Sequence, residues 1–269
     1  MNELNILKDI MNDVEEYLLK CDSPYIIMSG YEYFREVITL FAKQHNLIES
    51  TILLLENNHN EEAMILARSI MNNYFLIGYL LDDPNKQHIK IYQIQPYINE
   101  LYYYKNLKKI LRSDFKTDIE KRGKSFSYTE ADIDNKISSL KRCLKDAGFK
   151  PDIQPLKIAK LARLADKRGF ELYTAFYTTA SKFEHSDFST LNIYKEQITD
   201  ENSNNEVFCL SSSKTDENLK EQIMSIIIIS YAESCIKIID EITENQPHLK
   251  TSYDENKLGQ IMIKIMQLI

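Results

Sequence analysis

The stretch Ala63–Leu81, AMILARSIMNNYFLIGYLL, carries a single charged residue, Arg68, among residues that are otherwise apolar, small or amide. Such a composition over nineteen positions is typical of a helix that is buried inside a protein. A guanidinium keeps its charge wherever it lies, so a buried helix that carries one must supply partners for it. The stretch therefore predicts a core helix, and it makes Arg68 the first candidate for a functional site.

The segment before this stretch predicts the helix that packs against it. A long helix is expected from about Tyr31 to Glu56, followed by a short turn in which Asn58 or Asn60 caps the next helix. Residues 31–83 then form an antiparallel helical hairpin. Arg68 lies roughly ten residues beyond the turn, so its neighbour lies roughly ten residues before it, and we expect Glu49 to face Arg68. Asn72, one turn further along, shares the face of Arg68.

Helical periodicity also dominates the rest of the chain. Further helices are predicted at about 88–111, 130–146, 170–188 and 219–244, with a last one from about Glu255, and a short extended piece at EVFCL, 206–210. Gly148 and Gly169 are expected to end helices. Only six glycines and six prolines occur in 269 residues, which argues against a sandwich or barrel. The predicted fold class is all-α: a multi-helix bundle built around an antiparallel helical hairpin, forming one domain over 1–269.

Composition narrows the classes of partner. A net charge of −7 and a pI near 5.4 give no general attraction to nucleic acid, although Lys108, Lys109 and Arg112 form a local basic group near Tyr102–Tyr104. The four cysteines are widely spaced and no histidine has metal-ligand spacing, so we expect no metal, no cofactor and a reducing, cytoplasmic location. Arg68 and the amides beside it argue against a membrane span.

One other helix carries a row of polar side chains. In YTTASKFEH, Tyr177, Ser181 and His185 follow one another at i, i+4 and i+8, and Tyr173 extends the row by a turn. One interpretation is a half-buried helix whose polar groups bond to each other and to the backbone. The other is that the row meets Arg68, Asn72 and Glu49, so that an imidazole acts as acid and base beside a guanidinium. Phosphate-binding glycine loops, GxSxG and HExxH are absent from the sequence.

Two blocks of the sequence resemble a bacterial family known as the family of unknown function 5677. The block LLLENNHNEEAMILARSIMNNYFLIGYLLDD resembles its first signature, an apolar helix, a turn and a helix with Arg-Ser. Tyr177, Ser181 and His185 match its second signature. The resemblance covers about residues 35–195 and implies a family-like core there, with C-terminal helices 219–269 packing on it. The family usually has Glu four residues after the arginine, where this chain has Asn72.

The helical layout of that family is similar to HEPN domains, many of which are metal-independent ribonucleases in toxin–antitoxin and phage-defence systems. Those enzymes carry Arg a few residues before His, a spacing that is missing before His185, so an analogous activity would have to use Arg68 from another helix. The resemblance thus implies an RNA-directed role with Arg68, Tyr177, Ser181 and His185 as catalytic residues and Glu49, Asn72 and Tyr173 as binding residues. The alternatives are a non-catalytic module that binds a partner protein and a ligand sensor. A homodimer is expected.

Overall fold

The computed structural model describes residues 3–20, 24–83, 87–122, 127–164, 167–198, 207–211, 215–245, 248–250 and 254–269. Within them the chain is almost entirely helical, which confirms the predicted all-α bundle. The first helices are α1 (Glu3–Val14), a π-helical turn (Glu15–Leu19), α2 (Glu32–Glu56), α3 (Asn60–Leu81), α4 (His88–Gln93), α5 (Gln95–Leu111), α6 (Asp114–Lys121) and α7 (Glu130–Asp146).

The second half contains shorter elements and one small sheet. In chain order these are α8 (Ile158–Leu164), α9 (Lys167–Leu172), a π-helical turn (Tyr173–Tyr177), α10 (Thr178–Glu184), α11 (Phe188–Leu191), a 3-10 turn (Asn192–Tyr194), β1 (Lys195–Ile198), β2 (Val207–Leu210), α12 (Asn218–Asn245) and α13 (Glu255–Leu268). The strands pair antiparallel, with Lys195 opposite Leu210. The extended piece predicted at 206–210 is thus strand β2, apart from Glu206, which lies outside the described residues.

The described chain divides into two compact units, residues 1–86 with 158–269 and residues 87–157. In the first unit, α2 and α3 form the predicted hairpin, and α12 packs against both of them. Their contact surfaces consist of fully buried side chains such as Phe41, Ile48, Phe75 and Ile227. Burial of each such side chain contributes about 1.5–3 kcal/mol, so this three-helix contact is the main hydrophobic core of the unit.

Helices α1 and α13 pack against each other in the first unit. Leu7, Ile10 and Val14 of α1 and Ile265 of α13 are fully buried, and Ile261 is 1% exposed. The Nζ atom of Lys264 lies 2.8 Å from Asp9 and 2.5 Å from Asp13, and these carboxylates raise the pKa of the lysine. The first and last helices of the chain are therefore held together by apolar contacts and an ion-pair cluster.

The second unit has a core of its own. Helices α5 and α7 pack together, with Ile98, Leu101, Ile133 and Leu144 buried between them. Helix α7 begins with a capping box in which Thr129 and Asp132 bond to each other's backbone N–H groups. The prediction of one domain over 1–269 stays a prediction, because a compact unit need not fold independently.

Some predicted boundaries differ from the structure. The helix expected over 88–111 is broken between α4 and α5, because Pro96 has no N–H for a continuous helix and lies at the first turn of α5. Gly148 follows α7 with φ +84°, as expected of a helix-ending glycine. The prediction for Gly169 is wrong, since Gly169 lies inside α9.

Two helices, α3 and α12, have the length and composition of membrane spans, and 61% of the most apolar window of each is buried inside the protein. The buried shares agree with the core positions of these two helices, although length and composition alone do not assign a location.

Candidate functional site

The candidate site lies where α10 ends against α3. Arg68, in the middle of α3, has a side chain that is 17% exposed, and its Nη1 forms an ion pair with Oε2 of Glu184, the last residue of α10. The same Oε2 atom lies 3.6 Å from Nε2 of His185, whose side chain is 69% exposed. One carboxylate therefore faces both the guanidinium and the imidazole.

Tyrosine rings form the buried wall of this site. The guanidinium carbon of Arg68 lies 5.0 Å from the centroid of the Tyr177 ring, within the range of a cation–π contact. Tyr177 in turn stacks on Tyr173 with centroids 5.0 Å apart, and both rings contact Phe75 of α3. A π-helical turn holds the two tyrosines, which widens the spacing from that of an α-helix.

The end of α10 fixes the position of His185. The N–H of Asp187 donates to the carbonyl of Lys182 and that of Ser186 to Phe183, which is the Schellman pattern. Ser186 takes the left-handed conformation, φ +51°, that glycine usually supplies there. His185 is the residue that closes the helix, so its imidazole stands at a defined, solvent-facing end.

Two buried polar atoms at this site lack a hydrogen-bond partner among the described residues: Nε of Arg68 and Oδ1 of Asn72. An unsatisfied buried polar group costs about 1–3 kcal/mol, and such groups in native proteins call for an explanation. A donor and an acceptor one helical turn apart on α3 would be satisfied by a bound water molecule or by a polar ligand that reaches them.

The structure brings most of the predicted residues together. Arg68, Tyr177 and His185 meet around Glu184, and Tyr173 stacks on Tyr177. Ser181 is half-buried and its carbonyl accepts from the His185 N–H, while its hydroxyl forms no hydrogen bond to Arg68 or His185 in the part of the chain described. We call Arg68, Tyr177, Glu184 and His185 the Arg68 cluster.

The prediction that Glu49 faces Arg68 is wrong. The Glu49 carboxylate lies beside His45 and Glu15, and the partner of Arg68 is Glu184. Distance from the turn gives no information about the direction in which a side chain leaves the helix, and Glu49 points toward Glu15 instead. The signal that indicates Glu184 is its spacing of seven residues from Tyr177, two helical turns, which places both on one face.

Two of the three cations of the basic group in the second unit have acidic partners. Lys108 pairs with Asp134, and Arg112 lies 2.8 Å from Glu130, a contact that raises the pKa of Arg112. Because both cations have acidic partners on α7, they offer less attraction for a nucleic acid than the sequence suggests.

Comparison with known proteins agrees with the sequence resemblance. A family model described as "Family of unknown function (DUF5677)" matches residues 36–206. The chain belongs to this family. The matched region contains α3, α10 and all but the first four residues of α2, and thus the whole Arg68 cluster. No curated protein and no solved structure matches the chain significantly, so the family match is the finding that relates it to other proteins.

Proposed function

We propose that this member of the DUF5677 family acts on RNA, as a metal-independent ribonuclease of the HEPN-like kind in defence or stress response. The observation that carries the proposal is the Arg68 cluster itself, an exposed imidazole that shares a carboxylate with a half-buried guanidinium. Imidazole can take up and release a proton near neutral pH, and guanidinium can stabilise the charge of a phosphoryl transition state.

The chemistry that suits these groups is attack by the ribose 2′-hydroxyl on the neighbouring phosphate. His185 would take the proton of the 2′-hydroxyl while O2′ bonds to phosphorus and the bond from phosphorus to O5′ breaks. Arg68 would bind the phosphate oxygens, and the departing O5′ would take a proton from the imidazolium. The products are a 2′,3′-cyclic phosphate and a 5′-hydroxyl end. Glu184 occupies the guanidinium in the resting protein, so the phosphate must displace it or reach the other face of Arg68.

A second feature supports an RNA substrate. Phe188, three residues after His185, is 73% exposed, and Nζ of Lys195 lies 5.0 Å from its ring centroid. Exposed aromatic rings beside cationic groups are the surfaces on which proteins stack unpaired bases, and single-stranded RNA is recognised in this way. Phe188 and Lys195 would hold a base next to the phosphate that His185 and Arg68 act upon.

The test is cleavage of a fluorescent single-stranded RNA by the full-length chain in the presence of a chelator. We expect His185→Ala to abolish cleavage and Arg68→Lys to reduce it strongly, with melting temperatures close to that of the wild type. His59→Ala is the matched control, because His59 is also exposed and lies 3.9 Å from a glutamate, Glu62, yet is outside the cluster. A wild-type protein that leaves RNA intact, or a His185→Ala variant that cleaves normally, would refute the proposal.

The alternative is a non-catalytic module, and the burial of Arg68 favours it. The guanidinium is held between the Tyr177 ring and Glu184, which ties α10 to α3 whether or not any chemistry occurs. In that case Arg68→Ala lowers the free energy of unfolding by about 1–2 kcal/mol, because the guanidinium loses its contacts with the Tyr177 ring and with Glu184, and neither the wild type nor any variant cleaves RNA. The function would then be binding of a partner protein.

A ligand-sensing role has a candidate cleft. A cleft of about 580 Å³ lies beside α10, and Lys182, Thr190, Asp216 and Gln222 contribute polar groups to it. A metabolite that binds there would raise the melting temperature by mass action, so a thermal-shift panel tests this role. A homodimer and a cytoplasmic location also belong to the proposal, and sedimentation and fractionation test them.

A further inference from the structure

A second cluster of chemically active side chains lies on the other face of α2. Its members are Glu15, the first residue of the π-helical turn after α1, and His45 and Glu49, one turn apart on α2. One potential ligand atom of each residue lies within 4.8 Å of those of the other two. A histidine and a glutamate at i and i+4 share a helical face, as metal ligands on helices commonly do.

His45 is oriented as a metal-binding histidine is. Its side chain is only 4% exposed, and its Nδ1 lies 2.7 Å from the hydroxyl of Tyr231, which is fully buried on α12. Its Nε2 points to the carboxylates, 3.9 Å from Oε1 of Glu49, which is too long for a hydrogen bond. When Nδ1–H donates to the Tyr231 hydroxyl, Nε2 carries the lone pair and presents it toward the carboxylates, which is the tautomer that binds a metal.

The charges of the cluster also favour a cation. Two exposed carboxylates converge on one buried ring nitrogen, and like charges at such distances repel one another unless a positive charge lies between them. Lys8, the basic residue of the adjoining surface groove, is already bonded to Glu56 at 2.6 Å.

We propose that Glu15, His45 and Glu49 bind one divalent transition-metal ion, Zn²⁺ being the best match. One imidazole nitrogen with two carboxylate oxygens suits zinc better than magnesium or calcium, which prefer oxygen ligands alone. Ligands at about 2.0–2.2 Å from one ion lie roughly 3–3.5 Å apart, and both glutamates are exposed enough to close the remaining distance by rotation. The ion would join the N-terminal helix to α2, with water in its open positions.

The i, i+4 spacing of His45 and Glu49 supplies only two ligands, and the third, Glu15, lies thirty positions from His45, which is why the sequence led to the expectation of no metal. The site is separate from the Arg68 cluster in its residues, and it makes no demand on the reaction proposed there. Its expected consequence is structural: the bound metal stabilises the folded chain by mass action.

The experiment is calorimetric titration of the metal-free full-length chain with Zn²⁺. We expect one site per chain, a higher melting temperature with Zn²⁺, and at least tenfold weaker binding in Glu15→Gln and in Glu49→Gln. Both substitutions are at exposed positions, so the variants should fold. Glu62→Gln is the matched control, an exposed glutamate outside the cluster that also lies 3.9 Å from a histidine, His59, and it should bind as the wild type does.

A second measurement distinguishes this cluster from adventitious surface binding. Co²⁺ in place of zinc should give visible absorption bands of a low-coordinate site, and these bands should disappear in Glu49→Gln and persist in His59→Ala. The proposal is overturned if the wild type binds no Zn²⁺, or if Glu15→Gln and Glu49→Gln bind it as tightly as the wild type.

Discussion

The backbone conformation of Ser186 lowers stability, but it ends helix α10 at His185. It occupies the left-handed site of the Schellman motif after α10, with φ +51°, next to His185. A side chain in this conformation costs about 1 kcal/mol relative to glycine, which adopts it freely. We expect Ser186→Gly to raise the free energy of unfolding by about 0.5–1 kcal/mol, measured by urea denaturation. An unchanged or lower value would show that the serine side chain contributes an interaction that offsets the strain.

The burial of Lys250 predicts how the stability of the protein depends on pH. Its side chain is fully buried, with Nζ 3.2 Å from the carbonyl of Tyr17 and 4.2 Å from the ring centroid of Tyr25, and burial lowers its pKa to about 8. Between pH 8 and 10 the unfolded chain holds a proton on this lysine that the folded chain has released. The contribution of Lys250 to the free energy of unfolding is therefore lowest below pH 8 and increases as the pH rises from 8 to 10.

The comparison that isolates this effect is wild type against Lys250→Met. We expect the free energy of unfolding of the wild type, relative to the variant, to increase by at most about 3 kcal/mol from pH 8 to pH 10. Because every other group titrates in both proteins, the difference reports Lys250 alone. A difference that is flat across this range would mean that the lysine keeps its proton in the folded state.

The boundaries of the hairpin helices could be predicted closely, whereas the side-chain contacts of the hairpin could be predicted only in part. Apolar periodicity gave α2, α3, α7 and α12 to within one or two residues, because long buried or amphipathic helices carry a strong signal. The turn was less accurate: Asn58 adopts φ +58° and Asn60 bonds to the carbonyl of Asp216, so neither caps α3 as expected. The capping prediction failed because a distant loop competes for the same side chain.

The same limit applies to the site. Tyr177 and His185 could be assigned to one helix end from their spacing, and Arg68 to the opposing helix from its isolation in an apolar run. The spacing of Glu184 from Tyr177 places it on the same helical face. Its pairing with Arg68 and the true surroundings of Glu49 could not be predicted, because they depend on how each helix is rotated about its axis. The π-helical turn at Tyr173–Tyr177 adds to that rotation without any clear mark in the sequence.

The contact between α2 and α12 allows a further prediction about stability. Tyr231 of α12 stacks on Phe41 and places its hydroxyl 2.7 Å from Nδ1 of His45. Tyr231→Phe keeps the ring and removes that hydrogen bond, which leaves a buried ring nitrogen without a partner. We expect a loss of about 1–3 kcal/mol in the free energy of unfolding. Tyr97→Phe, at an exposed tyrosine, is the control, and an equal effect of both substitutions would contradict the assigned hydrogen bond.

The division of the molecule into two compact units predicts that a substitution in the core of one unit destabilises that unit and not the other. Leu144 is fully buried in the core of the unit 87–157, beside Ile98 and Ile133. Leu144→Ala leaves a cavity that costs about 2–5 kcal/mol. Since each unit has its own core, the substitution should lower the free energy of unfolding of the second unit and leave that of the first unit unchanged.

Hydrogen exchange measured by mass spectrometry tests this directly. In Leu144→Ala we expect faster exchange of the amides in α5 and α7, with exchange in α2 and α3 unchanged. Leu53→Ala, at a leucine that is 61% exposed, should leave both regions as in the wild type. Faster exchange throughout the chain in Leu144→Ala would instead mean that the two units unfold as one cooperative domain, as the predicted single domain over 1–269 implies.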